Sequence, residues 1–303
     1  MRIHSFNEWD PLREIIVGTA NNANWPGNDP VFTEESKKTS WKETPVPSGP
    51  VPQWIIDETN EDLNDLATIL MNAGVSVHRP MDLDFVTLGG MYNYCPRDRL
   101  LIAGNKIVDP AMMYPCRDME TRALDFVTKG NSVKYMPRNE GLVLDAANVC
   151  RLGEKWLFLE SWSGNDLAYQ WLTEQFPDII IEKCNFYAGV HIDSTIVPLR
   201  EGLAMVNASR VNPEQLPKAL QQWDIIWVYN VHAQDFYQYP YASKWIGMNT
   251  LSIDSDTVIV DKNQTELIKQ IESKGITVVP HELRHSRTLG GGVHCVTLDT
   301  WRE

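Results

Sequence analysis

Apolar residues in this chain fall in short runs, paired across turn residues, and each pair is followed by a stretch with helical spacing. The runs 99–103 and 106–108 flank a Gly104-Asn105 turn, which predicts a β-hairpin. A helix is expected next over 119–129, closed by Gly130, then a strand over 132–136 before Pro137. The same order recurs. Strand-like runs at 149–152 and 156–159 flank Gly153-Glu154 and lead to an expected helix over 166–176 and a strand over 179–182. A fourth set runs 194–199 and 203–207, a helix over 213–222 and a strand over 225–229. A fifth runs 250–253 and 257–261, a helix over 265–273 with Gly275 after it, and a strand over 276–279. A looser first copy starts at 12–18 and resumes with a helix over 63–72 and a strand over 75–79.

Five ββαβ-like units recurring roughly every fifty residues form either an open solenoid or a closed ring. One more strand-like piece, Val296-Thr297-Leu298-Asp299, stands ready to complete the interrupted first unit, so closure into one α/β domain over 1–303 is expected. The rival is a plain mixed sheet whose spacing is accidental. The Pro-, Gly- and Trp-rich stretch 21–52 is too long for an ordinary connection and reads as a lid or a disordered insertion. The aromatic, polar stretch 229–241 is a second candidate lid.

In a ring, the residues just before each first strand come near one another. Those positions hold Asp98, Asp145, His191 with Asp193, and Ser243, and the closing strand is preceded by Gly290-Gly291-Gly292-Val293-His294-Cys295. A thiol, an imidazole and a carboxylate are the parts of a nucleophilic site: one attacks, one moves the proton, one orients the imidazole. Carboxylates left over bind a cation, and a planar guanidinium suits them best. Each residue alone has a plain reading, Cys295 as a small buried hydrophobe and the glycines as a turn with positive φ. Their shared position in the repeat is what argues for chemistry.

Charge agrees with a cationic substrate. The 27 Lys and Arg against 40 Asp and Glu leave a net charge of −13, and no basic run exceeds a pair such as Lys37-Lys38, so nucleic acid is not an expected partner. No window approaches the ~20 apolar residues of a membrane span, so no membrane association is expected. The first residues lack a secretory apolar core, and the five scattered cysteines are no disulfide framework; a reducing, cytoplasmic setting is expected. His281-Glu282-Leu283-Arg284-His285 matches the zinc-protease pattern, which requires a helix. Here it follows a strand and Pro280, so no metal is expected. Dinucleotide and phosphate-loop glycine patterns are absent as well.

Six segments, in order, carry a resemblance that covers the chain from Asn7 to Arg302. They are Asn7-Glu8-Trp9-Asp10-Pro11-Leu12, Cys95-Pro96-Arg97-Asp98, Leu144-Asp145-Ala146-Ala147-Asn148, His191-Ile192-Asp193-Ser194-Thr195, Ser243-Lys244-Trp245 with Met248-Asn249, and the glycine triplet through Cys295. Together they resemble the arginine:glycine amidinotransferase family. The resemblance implies a five-bladed αβ-propeller, the pentein fold, with five modules around a pseudo-five-fold axis. It implies Cys295 as nucleophile, His191 as general acid and base, and Asp145 as its orienting carboxylate. Asp98 and Asp193 would hold the guanidinium of L-arginine, and Arg210 and Ser243 its carboxylate. The implied reaction moves an amidino group through a covalent amidino-cysteine to an acceptor amine such as glycine, releasing L-ornithine, with no cofactor. A homodimer is among the states the resemblance admits. Two rivals stay open: an arginine hydrolase of the dihydrolase or deiminase type on the same fold, and a non-catalytic arginine-binding propeller.

Overall fold

Five three-stranded sheets repeat one pattern in the computed structural model, which describes residues 1–39, 46–233 and 241–303. In every one the middle strand runs antiparallel to one neighbour and parallel to the other. The second sheet shows the local cause. Leu101–Ala103 and Lys106–Asp109 form the hairpin, and Gly104 turns it at φ 65°, where a Cβ would also meet the Phe6 ring at 2.6 Å. Val133–Tyr135 then returns parallel to Lys106–Asp109.

The third sheet contains Val149–Arg151, Lys155–Leu159 and Ile180–Cys184; the fourth, Ile196–Arg200, Leu203–Asn207 and Asp224–Val228. Leu251–Asp254, Thr257–Asp261 and Thr277–His281 make the fifth. In the first, Leu12–Val17 pairs parallel with Ser76–His78 and antiparallel with Thr297–Arg302 from the other end of the chain. The extra strand expected near 296–299 thus completes the interrupted unit.

Three crossovers are α-helices, Gln53–Asn72, Asp166–Gln175 and Thr265–Glu272. The first begins ahead of the expected 63, directly after Pro52, and buries Ile55, Ile56, Leu63, Leu66 and Leu70. The other two depart from expectation. Over 119–129 the chain forms a 3-10 helix, Pro115–Leu124, and one α-turn, Asp125–Thr128. A 3-10 helix eclipses residues three apart, which sets the buried Arg117 against Glu120 at 2.9 Å. Over 213–222 only two 3-10 turns form, Pro213–Gln215 and Lys218–Leu220. Pro217 offers no N–H and drives Leu216 to ψ 128°, so no α-helix can continue through it.

The described part of 21–52 is structured: Asn24–Trp25 pairs with Gly49–Pro50, and Pro30–Thr39 is a helix. Its Phe32 is fully buried against Tyr114, with ring centroids 5.5 Å apart. Residues 40–45 of this candidate lid, and 234–240 of the second, lie outside the described residues. Among the described residues no helix is long and apolar enough to cross a membrane.

Apolar clusters fill the space between each sheet and its crossover, for example Leu144, Trp156, Phe158, Ala168 and Leu172. A different interior joins the sheets. Arg151 reaches Glu8 at 2.8 Å and Asp299 at 3.0 Å, Arg97 reaches Asp299 at 2.6 Å, and Arg302 Nε donates to Asp299 at 2.8 Å. All five are buried. Buried charges persist only when paired, and burial, which would push the Asp299 carboxyl up, is outweighed by Arg151, Arg97 and Arg302, which hold it well below the usual range.

Candidate active site

Asp98, Asp145, His191, Asp193, Arg210, Ser243 and Cys295, the residues singled out from sequence, all line one cavity of about 490 Å³. The repeat brings most of them there. Asp98 sits in the short helix Pro96–Arg99 before the second sheet, and Asp145 precedes the turn Ala146–Asn148 that opens the third. His191 and Asp193 precede Ile196–Arg200, Ser243 precedes Lys244–Met248, and Cys295 precedes Thr297–Arg302.

The imidazole is held from three sides. His191 adopts φ 58°, a region that costs a non-glycine residue energy unless its surroundings enforce it. Its N–H donates to Asn148 Oδ1 at 3.1 Å, and its carbonyl accepts from Tyr187 Oη. Nε2 donates to Asp145 Oδ2 at 3.0 Å, while Asp145 Oδ1 accepts the Met113 N–H at 2.9 Å. Nδ1 is left facing Asp98, 3.7 Å from its Oδ1. Burial draws the His191 pKa down, but Asp98, Asp145 and Asp193 more than offset this and raise it to about 9.

Cys295 lies on the glycine loop. Gly290 ends the helix Ser286–Leu289 at φ 81° and is the one member of the triplet with positive φ. Gly291 serves close approach instead: a Cβ there would meet Cys95 Sγ at 2.5 Å and Cys295 Cβ at 3.2 Å. Cys295 N–H donates to Asn249 Oδ1 at 3.0 Å, and its thiol donates to Asp193 Oδ2 at 3.2 Å. Burial pushes this thiol well up, and Asp193, Cys95 and Asp98 add to the rise. Asp193 itself is pushed up by burial but held down to about 2, chiefly by His294 and then by His191.

Asp98 Oδ2 accepts from Arg117 Nη1 at 2.9 Å, whereas its buried Oδ1 accepts no hydrogen bond among the described residues. Arg210 donates to Thr195 Oγ1 at 2.7 Å and Ser194 Oγ at 3.1 Å, with its guanidinium 4.2 Å from the centroid of the Tyr187 ring. Arg287 Nε donates to the carbonyl of Ala242, next to Ser243, at 3.2 Å.

Sequence reasoning missed Arg117, Tyr187, Trp162, Arg287 and Glu35, which line the same cavity. None sits at the repeated position before a first strand. Arg117 could have been found from its spacing to Glu120. The His281/His285 pair does not share a helix: His281 ends Thr277–His281, and His285 precedes Ser286–Leu289 with Nε2 2.7 Å from Glu58.

A buried thiol, an oriented imidazole and paired carboxylates can attack a cationic carbon and protonate its leaving group. No family model matches the sequence. Inosamine-phosphate amidinotransferase 1 of Streptomyces griseus is 40% identical over 332 residues, spanning 98% of this chain and 96% of that protein. The chain belongs to the amidinotransferase family. The solved S. griseus enzyme superposes on this amidinotransferase with TM-score 0.91 over 99% of this chain and 97% of that one, at 37% identity. An amidinotransferase of the saxitoxin biosynthetic pathway from Microseira wollei gives 0.88 at 28% identity, with 99% and 97% covered. Mitochondrial glycine amidinotransferase of Xenopus tropicalis is 29% identical over 99% of this chain and 82% of its own. DDAH from Pseudomonas aeruginosa, at 14% identity and TM-score 0.67 over 95% of this chain and 99% of its own, shares the mixed α/β pentein-type fold alone.

Proposed function

We propose that this amidinotransferase takes the amidino group of L-arginine onto Cys295 and passes it to an acceptor amine, releasing L-ornithine. The observation that carries this reading is the placement of Asp98 and Asp193 in one cavity with the Cys295 thiol and the His191–Asp145 pair. Two carboxylates suit a planar guanidinium, which Asp98 Oδ1 can receive. Arg210 and Ser243 then take the carboxylate of the donor.

Binding prepares the attack. Asp98 and Asp193 both raise the Cys295 thiol and both favour the protonated His191. A guanidinium between them cancels these charges, which eases ionisation of the thiol and frees His191 to take its proton. The thiolate adds to the guanidinium carbon, His191 returns the proton to the ornithine nitrogen, the C–N bond breaks, and an amidino-cysteine remains. An acceptor amine enters, gives its proton to His191 and attacks the same carbon, restoring Cys295.

The acceptor reading follows cavity size and relatives. A space of about 490 Å³ exceeds what glycine fills. The relative at 40% identity is named for inosamine phosphate and the one at 29% for glycine. We therefore read the acceptor as a ring-bearing amine of the inosamine-phosphate type. We also read the five sheets as blades of one closed propeller over 1–303, supported by the pairing of Leu12–Val17 with Thr297–Arg302.

Incubation with L-arginine and one amine at a time, with ornithine and guanidino products followed by mass spectrometry, tests this. Inosamine phosphate should be amidinated at least tenfold faster than glycine. A faster reaction with glycine overturns the acceptor reading, and citrulline or ammonia from arginine alone favours the hydrolase.

A further inference from the structure

We propose that His294 is a positioning residue for the chemistry at Cys295: a doubly protonated imidazolium, clamped between Glu8 and Asp193, that holds the Asp193 carboxylate ionised and fixed beside the thiol. The inference rests on the reading of Cys295 as nucleophile.

The proton count comes from geometry. His294 Nδ1 lies 2.9 Å from Asp193 Oδ2, and Nε2 lies 3.3 Å from Glu8 Oε2. A neutral imidazole carries one N–H and could donate to only one of these carboxylates, leaving a lone pair against the other. Glu8 does not carry the missing proton. It accepts from Arg151 Nε at 2.9 Å and Arg151 Nη2 at 2.8 Å, with Arg97 at 3.8 Å. Burial would push the Glu8 carboxyl up, but Arg151, His294 and Arg97 hold it well below the usual range. Asp193 is occupied as an acceptor too, since the oxygen facing His294 also accepts the Cys295 thiol at 3.2 Å. Both ring nitrogens therefore donate.

That shared oxygen gives His294 its role. When the thiol ionises, its sulfur faces a carboxylate oxygen at the 3.2 Å of the hydrogen bond, and the two charges repel. The other charged or titratable groups acting on Cys295 include Asp98 and Cys95, which also oppose a thiolate. His191 faces Asp193 from the cavity side. His294 supplies a cation from behind, which lowers the cost of the thiolate before the guanidinium arrives and keeps Asp193 aimed at it. The imidazolium is anchored in turn: Glu8 belongs to the buried cluster of Arg151, Arg97, Asp299 and Arg302.

The test uses His294→Asn, which keeps a neutral donor towards Asp193, and His294→Gln, which extends one towards Glu8. Iodoacetamide labelling of Cys295, read by mass spectrometry of its peptide against pH without substrate, reports the thiolate directly. Both variants should shift the labelling midpoint up by one pH unit or more, tenfold less thiolate at a given pH, and the acid limb of kcat/KM should move with it. Profiles that superimpose on the wild type, with or without lost stability, overturn the role. If the variants do not fold, 15N-histidine-labelled wild-type protein decides: both ring nitrogens of His294 should bear hydrogen in the folded enzyme, and a lone-pair nitrogen there overturns the proposal. Failure of the nucleophile reading would appear separately, as an active Cys295→Ala enzyme with these spectra unchanged.

Discussion

Replacing His191 with Asn should remove a pH dependence of stability whose size follows from the site. The imidazole side chain is only 15% exposed, with Asp145 at 3.0 Å and Asp98 at 3.7 Å. Its pKa, 6.5 in an ordinary setting, is drawn down by burial but raised to about 9 by Asp98, Asp145 and Asp193. The folded state thus binds this proton more tightly than the unfolded chain. Its stabilisation is present in full below pH 6.5 and is lost as pH rises through 9. At ~1.4 kcal/mol per pH unit, the loss across that window is at most about 3.5 kcal/mol. Urea unfolding of wild type and His191→Asn, near pH 6 and near pH 9.5, gives the quantity as a double difference in which most other titrations cancel. Wild type should lose up to about 3.5 kcal/mol more than the variant. An equal loss in both would refute the claim that these carboxylates hold a proton on His191.

Cys295→Ala should abolish turnover while leaving the fold and arginine binding by calorimetry intact; a tenth of the wild-type rate would contradict the nucleophile assignment. Asp299→Asn removes the shared partner of Arg97, Arg151 and Arg302 and should cost about 3–5 kcal/mol in urea unfolding, whereas a loss below about 1 kcal/mol would mean the cluster relaxes or is hydrated. Chelators should leave the rate unchanged, and loss of activity restored by zinc would revive the His281/His285 metal reading.

The hairpins were legible because glycine turns such as Gly104 interrupt paired apolar runs, and the strand near 296–299 could be assigned to the first unit by counting what that unit lacked. The fourth crossover was misjudged because 3.6-residue spacing between 213 and 222 hid the effect of Pro217 on Leu216. In the site, Asp98, Asp145, Asp193 and Cys295 shared a place in the repeat, which sequence alone reveals. His294 was in view beside Cys295, yet its meaning depends on Asp193 and Glu8, 101 and 286 residues away. Tyr187 likewise reaches the cavity from a loop, and Arg287 from the short helix Ser286–Leu289, neither at the position the repeat marks.

In the proposed reaction a covalent amidino group forms on Cys295 before any acceptor binds. Stoichiometric enzyme and L-arginine, mixed without amine, test it when ornithine is counted and the Cys295 peptide is weighed. A burst of at most about one ornithine per site is expected, with a peptide heavier by one amidino group, because the site must keep water from the intermediate. Adding the acceptor should then discharge the peptide, and initial-rate lines at several fixed acceptor concentrations should run parallel. An unmodified Cys295 peptide, or ornithine released continuously at a rate that no amine improves, would contradict it.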